Sequence, residues 1–95
     1  MEKKDIEKIL KEQKNHLYEH FFVNKIGLFG SYARNEHHSE SDIDILVEFY
    51  KPVGFLFFDL KDYLESLFNK KVDLVTVNAL KPILKQDVLN EVQFQ

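Results

Sequence analysis

Residues 30–48 read GSYARNEHHSESDIDILVE, and the two ends of this stretch decide the fold. Gly30-Ser31 directly follows an apolar run, Lys25-Ile26-Gly27-Leu28-Phe29, and Asp42-Ile43-Asp44 opens a second, Ile45-Leu46-Val47. Strand side chains two apart share a face. Asp42 and Asp44 are therefore expected to aim at one point while Ile43 and Ile45 turn into the core. Two carboxylates so placed repel each other, and desolvation raises at least one pKa unless a cation sits between them. Magnesium takes such oxygen ligands, completing its shell with water and substrate phosphates. Glycine lets backbone approach a ligand closely, and the N–H groups that open the following helix favour an anion. A phosphate cradle beside a metal clamp on neighbouring strand ends points to nucleotide chemistry.

Upstream, residues 2–20 predict one amphipathic helix, with Ile6, Ile9, Leu10, Leu17 and Phe21 at helical spacing and Glu/Lys opposite. His20 is expected on its buried edge and His16 near solvent. His16-Leu17-Tyr18-Glu19-His20 also matches the inverted zinc-protease pattern. Such a site needs a distant third ligand and a substrate cleft, so a helix laid against a sheet is the reading adopted. Residues 22–29 predict the first strand, and Ser31 is expected to cap a short helix from Tyr32 to Glu36. His37 and His38 fall in the polar loop that follows and are expected to face solvent. The second strand is expected over 42–49.

Downstream, Pro52-Val53-Gly54 breaks the chain before a helix expected over 55–68. Leu56, Leu60, Tyr63, Leu64 and Leu67 form its inner stripe, which Phe55, Phe57, Phe58 and Phe68 widen. These phenylalanines fit a thick aromatic core, or else an exposed patch for a partner protein. Asn69 is a natural left-handed C-cap. Residues 71–77 predict a third strand, in which Asp73 interrupts an apolar run; beside Asp42 and Asp44 it reads as a third carboxylate. Pro82 opens a last helix to about Asn90, and Glu91–Gln95 alternates as a short edge strand or tail does. Helices thus alternate with strands in a small α/β domain. The short link between the first two strands is too small for a parallel crossover, so an antiparallel pair in a mixed sheet is expected.

Composition narrows the class. Ninety-five residues at 44% hydrophobic and 31% charged make one globular domain, residues 1–95. No cysteine is present, so disulfides and thiolate metal sites are excluded, consistent with a reducing cytoplasm. The N-terminus leads into charged residues rather than an apolar signal core, and no run approaches a membrane span. A net charge of −3 without a basic block disfavours nucleic acid as a partner.

Gly30-Ser31, then Asp42-x-Asp44 after ten residues, then Asp73 in VDLV behind an aromatic-rich helix, together resemble the minimal nucleotidyltransferase family. That family belongs to the polymerase-beta-like superfamily, and the likeness runs over nearly the whole chain. It implies a mixed sheet of three or four strands flanked by helices. It also implies transfer of a nucleoside monophosphate, usually AMP from ATP, to a hydroxyl. Many members pair as antitoxin with a HEPN-domain toxin, and some adenylylate a tyrosine of it. By the same resemblance Gly30 and Ser31 hold the donor's β,γ-phosphates. Asp42, Asp44 and Asp73 bind two Mg²⁺ ions, and Asp73 alternatively accepts the hydroxyl proton. Arg34, one turn after Ser31, either steadies the departing pyrophosphate or pairs with a carboxylate. Asn35 stands where the family commonly has glycine, and asparagine tolerates the left-handed backbone such a turn requires. Two further readings stay open: a binding module that neutralises its partner by contact alone, and transfer to a small molecule. Relatives of the latter kind carry an additional domain that this length leaves no room for.

Overall fold

The apolar run before Gly30 becomes strand β1, Val23–Phe29, in a computed structural model that describes residues 1–95. The run after Asp42 becomes β2, Ile43–Phe49, antiparallel to β1 as the short link between them requires. β3, Val72–Thr76, lies parallel to β2 on its other side, and β4, Gln93–Phe94, pairs antiparallel with the free edge of β1. The sheet is thus mixed, in the order β3-β2-β1-β4.

Helices α1 (Lys3–Glu12), α2 (Lys14–Phe21) and α4 (Leu56–Phe68) supply the core that covers one face. Ile6, Leu10, Leu17, Leu60, Leu64 and Phe68 pack there against Ile26, Leu28, Ile43, Ile45, Val47, Val72 and Leu74. Alternation along β2 sends Ile43 and Ile45 into this core and leaves Asp42, Asp44 and Leu46 to the other face. α3 is a single turn, Gly30–Ala33, and α5 spans Pro82–Glu91 with proline in its first turn. No helix is long and apolar enough to cross a membrane.

Several local expectations are corrected. The N-terminal helix is not continuous but breaks at Gln13, whose side chain accepts the Tyr63 hydroxyl at 2.6 Å. α2 ends on Phe22 in the left-handed region (φ 59°), a rare place for a bulky residue. Its ring is held there by Tyr50 and by Lys51 Nζ, 3.8 Å from its centroid. His20 is exposed rather than buried, and its ring lies tilted against that of His16, with centroids 4.4 Å apart. Ser31 lies inside α3 and does not cap it, because the turn starts at Gly30. The phenylalanines of α4 divide: Phe68 and Phe57 join the core, whereas Phe55 and Phe58 are 88% and 58% exposed. Leu56 is only half-buried. Asn69 does take the left-handed C-cap expected of it.

The open face of β1 is closed by the chain's last residues. Gly27 leaves room for Val92, and a Cβ there would fall 2.6 Å from Val92 Cγ2 and 2.8 Å from the Gln93 carbonyl oxygen. Gln95 N–H donates to the Ile26 carbonyl at 2.9 Å. Gly27→Ala is therefore expected to cost about 1–3 kcal/mol by overpacking and to loosen β4. A lower urea midpoint with faster amide exchange at Gln95 checks this.

Candidate active site

Strand register builds the site. In the parallel β2–β3 pair Asp44 stands directly beside Asp73, and in the antiparallel β1–β2 pair it stands opposite Phe29, the residue before Gly30. The Asp44 carboxyl lies against Gly30 so closely that a Cβ on the glycine would fall 2.8 Å from Asp44 Cγ. Gly30 has φ +75°, a backbone that side chains disfavour. The absent side chain and the left-handed turn together let the Gly30-Ser31 bend press onto the carboxylates. Asp44 is half-buried, Asp73 is exposed, and Asp42 is exposed one residue outside β2, which begins at Ile43 rather than at 42.

The electrostatics follow this placement. Burial pushes the Asp44 carboxyl up to about 6, with the charges of Asp73 and Asp42 adding to the shift and Arg34 opposing it. Asp42 and Asp73 thus both act electrostatically on Asp44. The three carboxylates are not drawn into a closed cage: no three acidic or histidine side chains stand in a metal-enclosing arrangement. That applies equally to His16, Glu19 and His20. The Asp42, Asp44 and Asp73 donor set is nonetheless all oxygen, open on one side and mutually repulsive, which fits a hard cation that also takes phosphate and water oxygens.

Arg34 resolves towards pairing with carboxylates. Its Nε donates to Glu36 at 2.7 Å and its Nη1 to Glu91 at 2.9 Å. These partners, Glu36 foremost, hold the guanidinium still more firmly in its charged form. Glu91 is the site residue that sequence reasoning missed: its Oε2 accepts the Gly30 N–H at 2.7 Å. That donor, expected to meet a phosphate, is already engaged. Ser31 is half-buried beside it, and Tyr32 is buried as packing. Asn35 adopts the left-handed conformation (φ 58°) that the departure from glycine required. His37 is not solvent-facing: its ring stacks on Tyr32 at 4.0 Å, whereas His38 stays exposed. The largest cavity, about 520 Å³, lies elsewhere, at the carboxyl ends of β2 and β3 around Phe49, Lys51 and Thr76. The acidic site is an open surface.

Comparison with known proteins agrees with this geometry. Residues 3–94 match the model of the nucleotidyltransferase domain. The protein adenylyltransferase MntA of Thermococcus cleftensis is 45% identical over 91 residues, 95% of this chain and 92% of that one. A Methanocaldococcus jannaschii protein, provisionally named a protein adenylyltransferase, is 51% identical over 77 residues, 80% of this chain and 90% of that one. A crystal structure of a toxin–antitoxin with AMP-PNP superposes at TM-score 0.71 with 29% identity, covering 94% of this chain and 70% of that one. A structure of a tri-AMPylated Shewanella oneidensis HEPN toxin in complex with its MNT antitoxin superposes at TM-score 0.65 with 26% identity, covering 99% and 71%. The carboxylates of β2 and β3, the glycine bend and these likenesses place the chain in the nucleotidyltransferase-domain family, as a minimal nucleotidyltransferase.

Proposed function

We propose that this chain transfers AMP from ATP, with Mg²⁺, to a tyrosine hydroxyl of a HEPN-domain toxin and so acts as its antitoxin. The observation that carries the reading is the cross-strand pairing of Asp44 with Asp73 against the Gly30 bend. The naming of its relatives and the AMP-PNP and AMPylated-toxin complexes among its structural neighbours support the donor and the partner class.

Two magnesium ions held by Asp42, Asp44 and Asp73 would neutralise the triphosphate and lower the pKa of the attacking hydroxyl. The chain's own residues do the rest by placement. The Gly30-Ser31 bend brings the donor's phosphates against Asp44, with Ser31 the group left to bind them. Arg34 sets a positive charge beside that bend. Asp73, exposed where Asp44 is half-buried, is the carboxylate open to the acceptor and takes its proton. The hydroxyl oxygen bonds to the α-phosphorus, the bond from that phosphorus to the bridging oxygen breaks, and pyrophosphate leaves. Because the acidic site is an open surface, an acceptor carried on another protein can reach it.

Incubation with labelled ATP, Mg²⁺ and the partner toxin tests the reading. Label is expected on a tyrosine of the partner, and its absence across all four nucleotides would sink the proposal. Asp73→Asn is expected to lower transfer at least about 10²-fold with little loss of stability, read by the same assay and by thermal melting. Contact alone is the competing reading, favoured by the exposure of Phe55 and Phe58. It would prevail if an Asp42→Ala/Asp44→Ala double variant still neutralised the toxin.

A further inference from the structure

We propose that Glu91 is a positioning residue for the donor triphosphate, holding the Gly30 bend and Arg34 in place from the far end of the chain. This rests on the reading that the bend and Arg34 serve the triphosphate. One carboxylate bridges the two: Oε2 takes the Gly30 N–H at 2.7 Å and Oε1 takes Arg34 Nη1 at 2.9 Å. Both are short, charge-assisted contacts, the strong class of hydrogen bond.

The bend needs such support. α3 has only four residues, too few for a helix to hold itself, and it opens on a glycine in a left-handed conformation. Arg34 is on the exposed side of this turn and would otherwise sample many rotamers. Of its two acidic partners, Glu36 is 63% exposed and therefore screened, whereas Glu91 is 21% exposed. Glu91 is the better-protected anchor. Its own position is fixed by the segment that follows: Val92 is buried against Gly27, and β4 pairs with β1. The C-terminal segment thereby becomes part of the site's frame, and α5 ends where the anchor is required.

A double-mutant series tests this, using AMP-PNP binding in the presence of Mg²⁺ and steady-state transfer to the toxin. Glu91→Gln keeps the packing and loses the charge; Glu91→Ala, Arg34→Ala and the double variant complete the series. Both Glu91 variants are expected to raise Kd for AMP-PNP and KM for ATP about tenfold, as loss of an orienting partner does, with kcat within about threefold. The double variant should lose less than the sum of the two single losses, because Glu91 acts partly through Arg34, and any loss beyond Arg34→Ala alone is the share carried by the Gly30 contact. Additive losses, Kd within about twofold of wild type, or tighter binding by Glu91→Gln would each overturn the proposal, the last by showing that the carboxylate competes with phosphate. If Glu91→Ala fails to fold, Glu91→Gln against wild type decides by the same criteria. Wild type that binds AMP-PNP but transfers nothing would defeat the proposed function and leave the binding series to decide on Glu91. Wild type that binds no AMP-PNP would defeat both.

Discussion

Asp44→Asn is expected to reduce nucleotidyl transfer about 10³-fold, the scale of losing one preorganised electrostatic group at a reacting centre, while making the metal-free protein more stable at neutral pH. The two effects have one cause. Asp44 is the carboxylate set between Asp73 and the Gly30 bend, and its pKa rises from 3.8 to about 6 chiefly because burial penalises its charge. A carboxyl that is harder to ionise folded than unfolded keeps more protons in the folded state. The contribution of this group to stability is then greatest below about pH 4, falls as pH rises towards 6, and stays lowered above it. The full shift corresponds to about 3 kcal/mol, but Asp44 is partly open to solvent, and screening leaves about 1 kcal/mol. Asparagine carries no charge to strand there. Its melting temperature at pH 8 should exceed that of wild type by about 4–8 °C, and the fall between pH 4 and 6 should flatten. On the proposed function magnesium would bind the ionised carboxylates of the folded state, so it should raise the wild-type melting temperature above pH 6 and leave the variant almost unmoved. Equal melting curves at pH 8 would show that ionised Asp44 carries no burial penalty, and equal stabilisation of both proteins by Mg²⁺ would remove Asp44 from the metal site.

Such a destabilised acidic site is the part of this protein most legible in its sequence. Alternation alone separates Asp42 and Asp44 from Ile43 and Ile45, because a strand offers each side chain only two faces. Asp73 is conspicuous because an apolar strand gains nothing from a carboxylate in its middle. What the sequence did not carry is the register that sets Asp73 beside Asp44. Parallel pairing is settled by how α4 packs across the sheet, a non-local matter. The break at Gln13 and the turn at Phe22 were hidden for a different reason: neither uses glycine or proline, and both are held by tertiary contacts to Tyr63, Tyr50 and Lys51. The α4 stripe looked wider than it is because Phe55 and Phe58 carry helical spacing without burial. Glu91 was missed because its partners are 61 and 57 positions away and α5 buries no residue that would orient it. The one available signal was an acidic residue directly before an alternating Val92-Gln93-Phe94-Gln95 tail, where an edge strand would bring it back to β1.

Gly30→Ala should be the most damaging of the single-methyl changes, and a second glycine separates its two costs. Gly30 and Gly54 both have positive φ, +75° and +55°, so alanine at either position meets backbone strain of roughly 1 kcal/mol. At Gly54 nothing lies within 4 Å of the new methyl. At Gly30 the methyl collides with the Asp44 carboxyl, and either the bend or the carboxylate must move. The β2–β3 ladder holds Asp44 beside Asp73, while α3 is a lone turn, so the bend is the part that yields. A displacement of about 1 Å at a phosphate-positioning element costs on the order of 10²-fold in rate. Gly54→Ala is accordingly expected to lower stability by about 1 kcal/mol and to leave transfer within about twofold of wild type. Gly30→Ala should lose at least about 10²-fold in transfer and about 1–3 kcal/mol in urea unfolding. Transfer by Gly30→Ala within about threefold of wild type would mean that phosphate is not held at this bend. The contact between Gly30 and Asp44 would then be packing alone, and the donor would have to be sought elsewhere along the acidic edge of β2 and β3.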